Sequence, residues 1–252
     1  MKRKYLDALF AAFILMLIWQ VGSMLLNKSL LPSFISSVKE FFHLLLDGTL
    51  LKHILVSAYR VLAGIFFALL FAVPFGLGMG YSDRLERFFR PFLYLAYPLP
   101  KVVFLPVIIV LLGLGNAPKI FLLALVMFFQ LVVVIRDSAR SIPGDQIQAM
   151  RSLNAAFFQT FRHLIFPYCL SGIMTSLRAT LGTAIAILFI AETFASLNGL
   201  GYFILNKMDS RDYPAMYAGI LTLALFGGLI YLIFDLLEHY FCRWRYIETE
   251  KR

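Results

Sequence analysis

Between Arg60 and Asp83 the chain runs for 22 residues without a charged side chain, and it does so again between Asp212 and Asp235. A helix of that length spans about 33 Å, the thickness of a bilayer's hydrocarbon core. Nothing in hydrocarbon satisfies the polar groups of an open strand or loop, so such runs must be helical. Composition agrees. Only 15% of residues are charged and 61% are hydrophobic, with mean hydropathy +0.82, where a soluble domain is about 25% charged. The fold class is an all-α polytopic membrane protein.

Six spans are expected, at residues 8–26, 61–80, 91 to about 114, 120–135, 172–194 and 213–234. The N-terminus has the charged start of a signal peptide, but its apolar run is long for that role and no clear small-x-small cleavage site follows, so it reads as a retained first span. Asn116 and Pro118 fit a cap and a first-turn proline, which would start the fourth span a turn earlier. An even number of spans puts both termini on one side. With the N-terminus inside, inner segments hold 14 of the 23 Lys and Arg residues and outer segments six, which favours cytoplasmic termini. The net charge of +9 is therefore topology signal and not a nucleic-acid footprint. Cys169 and Cys242 have no zinc or redox spacing, and both fall near the cytoplasmic side, where a disulfide is not expected.

The connections are unequal. SLLPSFISSVKEFFHLLLDG, in the outer loop 27–60, reads as an interfacial amphipathic helix. YSDRLERFFR is a short inner loop. Residues 136–166 form the only long inner connection. The third span carries Pro91, Pro98, Pro100 and Pro106, with Lys101 among them. Either it is broken backbone inside the protein or along a passage, or its helix starts at Val102 after an interfacial lead-in. In the second span, Gly76, Gly78 and Gly80 allow close helix approach without counting as a strict G-x-x-x-G, and Pro74 should bend the helix. Glu192 is the one carboxylate well inside a span, as a structural anchor or a path residue. Asp235 and Glu238 read as water-facing.

Catalytic signatures are missing. There is no phosphate-binding G-x-x-x-x-G-K-[ST], no H-E-x-x-H and no G-x-S-x-G. Catalytic residues, a metal site and a cofactor bound by this chain are not expected. A channel, a secondary carrier or the membrane part of a powered machine remain.

The inner connection contains QAMRSLNAAFFQTFRHLIFP, residues 148–167. Ala149, Leu153, Ala156, Phe157, Phe161 and roughly Ile165 fall on one helical face, with Arg151, Ser152, Gln159 and Arg162 largely elsewhere. Asn154 marks a bend, since Asn tolerates a left-handed position. The pattern predicts two short helices, the second ending at Pro167 before the fifth span. A partner-docking platform and a helix on the membrane face both fit.

This stretch resembles the cytoplasmic loop of ABC importer permeases, E-A-A, three residues, G, nine residues, I-x-L-P. Gln148, Ala149 and Met150 stand at the first three positions, Asn154 at the glycine, Leu164 and Phe166 at the apolar positions and Pro167 at the proline. The departures are Gln for Glu, Met for Ala and Asn for Gly. Other family-like elements follow in order: Trp19 with Leu31-Pro32, SAYRVLAG at 57–64, LERFFRP at 85–91, Pro98–Lys101 with Leu105-Pro106 and Gly113–Gly115, AETFASLNGLGYFI at 191–204, and Arg243-Trp244. They are most similar to the branch importing nitrate, sulfonates, taurine, bicarbonate or thiamine-precursor pyrimidines.

The resemblance implies the six-helix type I importer permease fold, as one permease domain over 1–252 with a coupling loop at 136–167. It implies a translocation path for a small solute, a second permease subunit, often an identical one, cytoplasmic ATPases holding ATP and Mg, and an extracellular or periplasmic binding protein, in a bacterial cell membrane. Gln148, Ala149, Met150, Arg151, Asn154, Gln159 and Pro167 are then the ATPase-coupling set. Pro98, Pro100, Lys101, Pro106 and Glu192 belong to the path or core. The alternative is an ion-coupled carrier or small channel using Glu192, although no inverted repeat is visible.

Overall fold

The computed structural model describes residues 2–26 and 30–242, with side chains except at residues 2–9, 12 and 157. The Arg243-Trp244 pair lies outside them. Every regular element among the described residues is helical. In chain order these are α1 (Lys2–Leu26), α2 (Phe34–Leu46), α3 (Thr49–Tyr81), α4 (Asp83–Ala96), a 3-10 turn (Lys101–Phe104), α5 (Leu105–Leu112), α6 (Ala117–Arg140), α7 (Gly144–Ser152), α8 (Phe157–Thr160), a π turn (Phe161–Ile165), α9 (Phe166–Thr193), α10 (Leu200–Asp209) and α11 (Tyr213–Phe241).

Four stretches are long and apolar enough to cross a membrane: α3, α6, Phe158–Thr193 and α11. A fifth is the pair Asp83–Ala96 and Lys101–Leu112, bent by 82°. Within α1, the described apolar part is the shorter Phe13–Leu26. Several expected boundaries move. The helix of the second span starts at Thr49, twelve residues before Val61, because the Gly48 turn (φ 83°) separates it from α2. YSDRLERFFR is helical from Asp83 onward, with Ser82 as its N-cap. The fourth span does start a turn early, at Ala117, but the Asn116 side chain does not cap it.

The chain divides into two compact units. The first holds residues 1–57 and 192–226. There α1 meets the start of α2 through three hydrogen bonds. Trp19 Nε1 donates to Pro32 O (3.1 Å), Ser23 Oγ donates to Leu31 O (3.0 Å) and Gln20 Oε1 accepts from Phe34 N (3.1 Å). The Trp19 ring packs against Phe34 and Tyr217 at 5.4 and 5.3 Å between centroids. The expected amphipathic helix of the outer loop appears as α2, with Ser37 and Leu44 buried and Ile35, Phe42 and Leu46 exposed.

The second unit holds residues 58–191 and 227–252. Its core is built from Val61, Ile65, Ala68, Ala72 and Met79 of α3, Leu122, Met127, Leu131 and Ile135 of α6, and Leu177, Leu181 and Leu188 of α9, all buried. Here one reading needs correction. Gly76 and Gly80 are four residues apart and form a G-x-x-x-G. A Cβ on Gly76 would lie 2.7 Å from Ile135 Cβ, and one on Gly80 would overlap Ala139. The pair lets α3 and α6 touch backbone to backbone. Helix α3 is continuous through Pro74.

Asp235 and Glu238 need a second correction, because both are paired with Arg178 and Glu238 is buried. Arg178 of α9 donates to Asp235 and lies 3.2 Å from Glu238, and Thr175 Oγ1 donates to Glu238 Oε1 at 2.9 Å. Glu238 is 1% exposed. A guanidinium shared between two carboxylates keeps all three groups tolerable at membrane depth. A similar cluster joins α4 to α6, where buried Glu86 lies 3.7 Å from Arg136 and 3.8 Å from Arg140, and Asp83 accepts from Arg140 at 2.6 Å.

Candidate functional site

Three features have the polar chemistry to act. The first lies in the unit formed by residues 1–57 and 192–226. Gly199, at φ 115°, starts α10 without a side-chain cap of its own. The helix's free N–H groups are captured one after another by side chains distant in sequence. His53 Nδ1 accepts from Gly199 N (3.1 Å), Ser57 Oγ from Leu200 N (2.9 Å) and Glu192 Oε2 from Gly201 N (2.9 Å). Ser57 Oγ also lies 2.8 and 2.9 Å from the two Glu192 oxygens, to which its one hydrogen is shared. Glu192 is fully buried. A carboxylate at a helix N-terminus is stabilised by the amide dipoles it faces.

The second feature is the broken helix of the other unit. Pro98 and Pro100 occupy the break, while Pro106 sits in the first turn of α5, where a missing N–H costs nothing. Lys101 Nζ donates to Ala96 O (2.9 Å), Tyr97 O (3.0 Å) and Leu99 O (3.2 Å), and lies 4.7 Å from the Phe129 ring. It thus satisfies carbonyls that the break leaves free at the end of α4. Nearby, Arg60 Nε donates to Asn116 Oδ1 at 2.9 Å, which is why Asn116 does not cap α6.

The same unit encloses a cavity of about 930 Å³. Its polar lining comes from Tyr97, Gln130 and Ser138 of the α4–α6 region, Ser141 and Gln146 beside α7, and Tyr168, Ser171, Thr175, Ser176, Thr180 and Thr183 of α9. Pro98, Pro100, Lys101, Pro106 and Glu192 are not among its lining residues. The expected path residues and this cavity are therefore separate sets. The signal for the cavity was present in the sequence as Ser171, Thr175, Ser176, Thr180 and Thr183 at helical spacing, one polar stripe along an apolar span.

The third feature is the inner turn. At the end of α7, Asn154 N donates to Arg151 O (2.9 Å) and Ala155 N to Met150 O (3.1 Å), with Asn154 at φ 52°. This is a Schellman motif, with Asn154 in the left-handed position usually held by glycine. Gln159 Oε1 reaches back to Ala156 N at 2.8 Å, as a capping-box residue does. Gln148, Ala149, Arg151 and Asn154 are exposed and Met150 is half-buried.

The expected apolar face does not pack as one surface. Ala149 and Ala156 are exposed, Leu153 is 77% exposed, and Ile165 is the buried member. The turn at Asn154 rotates the two halves out of register. The helix also does not end at Pro167. Phe166 N donates five residues back to Phe161 O, and this π turn widens the helix where the Pro167 ring would otherwise strike the His163 carbonyl. Phe158–Thr193 is thus one helix of 36 residues.

Among the described residues, no group of three or more His, Cys, Asp or Glu side chains could hold a metal ion.

Comparison with known proteins places this geometry in a family. Residues 64–244 match the model of the binding-protein-dependent transport system inner membrane component. The chain is 28% identical over 243 residues to the aliphatic sulfonates transport permease protein SsuC assigned in Bacillus subtilis (strain 168), covering 96% of this chain and 88% of the relative. It is 30% identical over 199 residues to the taurine transport system permease protein TauC of Escherichia coli (strain K12), covering 79% and 72% respectively. Its fold matches an inward-facing crystal structure of the MetNI methionine ABC transporter with a TM-score of 0.68 at 18% identity, over 76% of this chain and 95% of that one. The chain belongs to the family of binding-protein-dependent transport system inner membrane components and is the multi-pass permease of an ABC importer, with ATP hydrolysed on a separate ATPase.

Proposed function

We propose that the Asn154 turn is the surface on which the ATPase acts. The observation that carries this is two large apolar side chains held in the open on either side of the turn, Leu153 at 77% and Phe158 at 67% exposure. Apolar side chains presented together on a stiffened turn fit a groove on a partner. Gln148, Ala149, Met150, Arg151 and Asn154 form the rest of the docking face, while Gln159 and Pro167 set its geometry. The continuous helix from Phe158 to Thr193 then carries motion from the turn into the membrane.

In the full assembly the chain is a single permease domain with six spans, α1 and the bent pair included. Both termini and the coupling loop 136–167 are cytoplasmic, in a bacterial cell membrane. A second copy completes the path and an external binding protein delivers the solute. Pro98, Pro100, Lys101, Pro106 and Glu192 frame the path by fixing its broken backbone. The solute is a sulfonate or taurine type, with a thiamine-precursor pyrimidine as the second choice.

The test is co-purification. Leu153→Glu and Phe158→Glu, both at exposed positions, should insert normally and lose the ATPase. Retention of the ATPase at wild-type level by both variants would move the docking surface elsewhere.

A further inference from the structure

From Pro143 to Leu164 none of the described side chains is buried, although the stretch holds α7, α8 and most of the π turn. The buried residues that bracket it are Ile142 and Ile165. Beyond Ile165 the anchoring is dense. Cys169, Ile173 and Leu177 are all buried. Tyr168 Oη donates to Ser141 O at 3.1 Å, and a Cβ on Gly172 would lie 2.3 Å from Ser138 Oγ. The start of α9 is thus held hard against the end of α6. The change from unanchored to anchored chain falls within the π turn.

That turn is also where the helix resists bending least. Phe166 N reaches five residues back to Phe161 O, and Pro167 brings no N–H of its own. A wide turn beside a missing donor lacks the full ladder of hydrogen bonds that stiffens a helix, and sharp bends gather at such places. Space to bend lies beside it. A cleft of about 560 Å³ has Gly80, Asp83 and Arg140 on one side and Ile147 and Arg151 of α7 on the other, and Ile165 also lines it. The end of the unanchored segment therefore faces open space and not close-packed core.

Resting on the docking reading above, we propose that the π turn Phe161–Ile165 is a joint: residues 143–164 swing on it into the cleft when the ATPase moves, and Tyr168 is the pin that keeps α9 seated on α6. Motion from the Asn154 turn enters α9 through this joint and not along a rigid rod. A hinge of this kind needs only a few residues at the end of a packed element to absorb the backbone change.

Two variants and one measurement on the wild type test it, in the reconstituted complex with its ATPase and binding protein. A π turn closes its hydrogen bond one residue later than an α turn. Deleting His163 together with Pro167→Ala should therefore leave a straight α-helix with both ends in phase. This chain should keep the ATPase and melt no lower than the wild type, yet lose most of the rise in ATP hydrolysis that the binding protein causes. A wild-type rise would mean that the turn only accommodates the proline. Tyr168→Phe removes one hydroxyl. It should also keep the ATPase and the melting temperature while lowering that rise, and an unchanged rise strips Tyr168 of its role as the pin. If the shortened chain fails to hold the ATPase, the wild-type complex decides. Backbone hydrogen exchange is compared between the nucleotide-free complex and one trapped with ATP and vanadate. Amides 161–166 should change rate about tenfold, as the making or breaking of one hydrogen bond gives, and amides 169–180 should not. One uniform change from 158 to 180, or no change at all, describes a rigid rod and overturns the joint. The docking reading fails on a different result, retention of the ATPase by Leu153→Glu and Phe158→Glu, which leaves the exchange pattern across the turn to be read as before.

Discussion

Glu192 Oε2 accepts the backbone N–H of Gly201 at 2.9 Å from nine residues earlier in the chain. The carboxylate is fully buried, and it also accepts from Ser57 Oγ. This arrangement makes Glu192 the support of α10. A buried carboxyl group that faces a helix N-terminus and a hydroxyl has hydrogen bonds to offset its burial.

Glu192→Ala should therefore act first on stability. It strands the Gly201 N–H in a buried site, at about 1–3 kcal/mol. Glu192→Gln keeps an oxygen at the same place and should cost less. Thermal unfolding of the purified protein in detergent would order the three as wild type, Gln, Ala. An Ala variant that melts with the wild type would show that Gly201 finds another partner, and would reopen a transport role for the carboxylate.

The α3–α6 contact makes a sharper prediction, because two glycines two residues apart should behave oppositely. Gly80→Ala places a methyl group against Ala139 Cβ and 2.9 Å from Arg136 O. A backbone carbonyl cannot step aside, so overpacking should cost about 1–3 kcal/mol. Gly78→Ala meets only the flexible tip of Leu85, at 3.3 Å. It should be neutral, or gain up to about 0.5–1 kcal/mol from helix propensity. Melting temperatures of the two variants would separate them. Equal effects would mean that the helices slide apart freely and that the close approach is incidental.

Much of this fold was legible in the sequence because membrane helices declare themselves by length and charge alone. The α3, α6 and α11 segments needed nothing more. The break near Pro98 was legible as well, since proline acts locally. What could not be read was partnership. Arg178, Asp235 and Glu238 are 57 and 60 residues apart in sequence, and three charges near a span end look the same whether they meet water or one another. The role of Gln159 as a cap and the bonding of Lys101 to three carbonyls are local, three and two to five residues along the chain, but they depend on where the helices end, which residue type alone does not fix. The motifs around Ser57, Glu192 and Gly199–Gly201 could be recognised by order, but only the structure gives their common reason, three consecutive N–H groups needing three acceptors. The helix beyond Asn154 was misread at Pro167 because a π turn has no signature as strong as the proline it accommodates.

The Asn154 turn carries the last prediction. Its Schellman geometry requires a left-handed residue, observed at φ 52°. Glycine reaches that conformation at no steric cost, asparagine at a small one, and a β-branched residue at about 1–2 kcal/mol or more. Asn154→Gly should thus leave the turn intact, and Asn154→Val should open it without touching the membrane helices. If the turn is the seat of the ATPase, the consequence is a split between assembly of the membrane part and coupling. Asn154→Gly should keep ATP hydrolysis tied to solute import, and Asn154→Val should lower import per ATP hydrolysed while the chain still inserts. The side chain at 154 is exposed and the glycine variant lacks it too, so a loss confined to the valine variant traces to backbone shape and not to a missing side-chain contact. Import per ATP equal to wild type in Asn154→Val would show that the shape of this turn is not what the ATPase grips, and the exposed Leu153 and Phe158 side chains would then have to hold it without the turn's help.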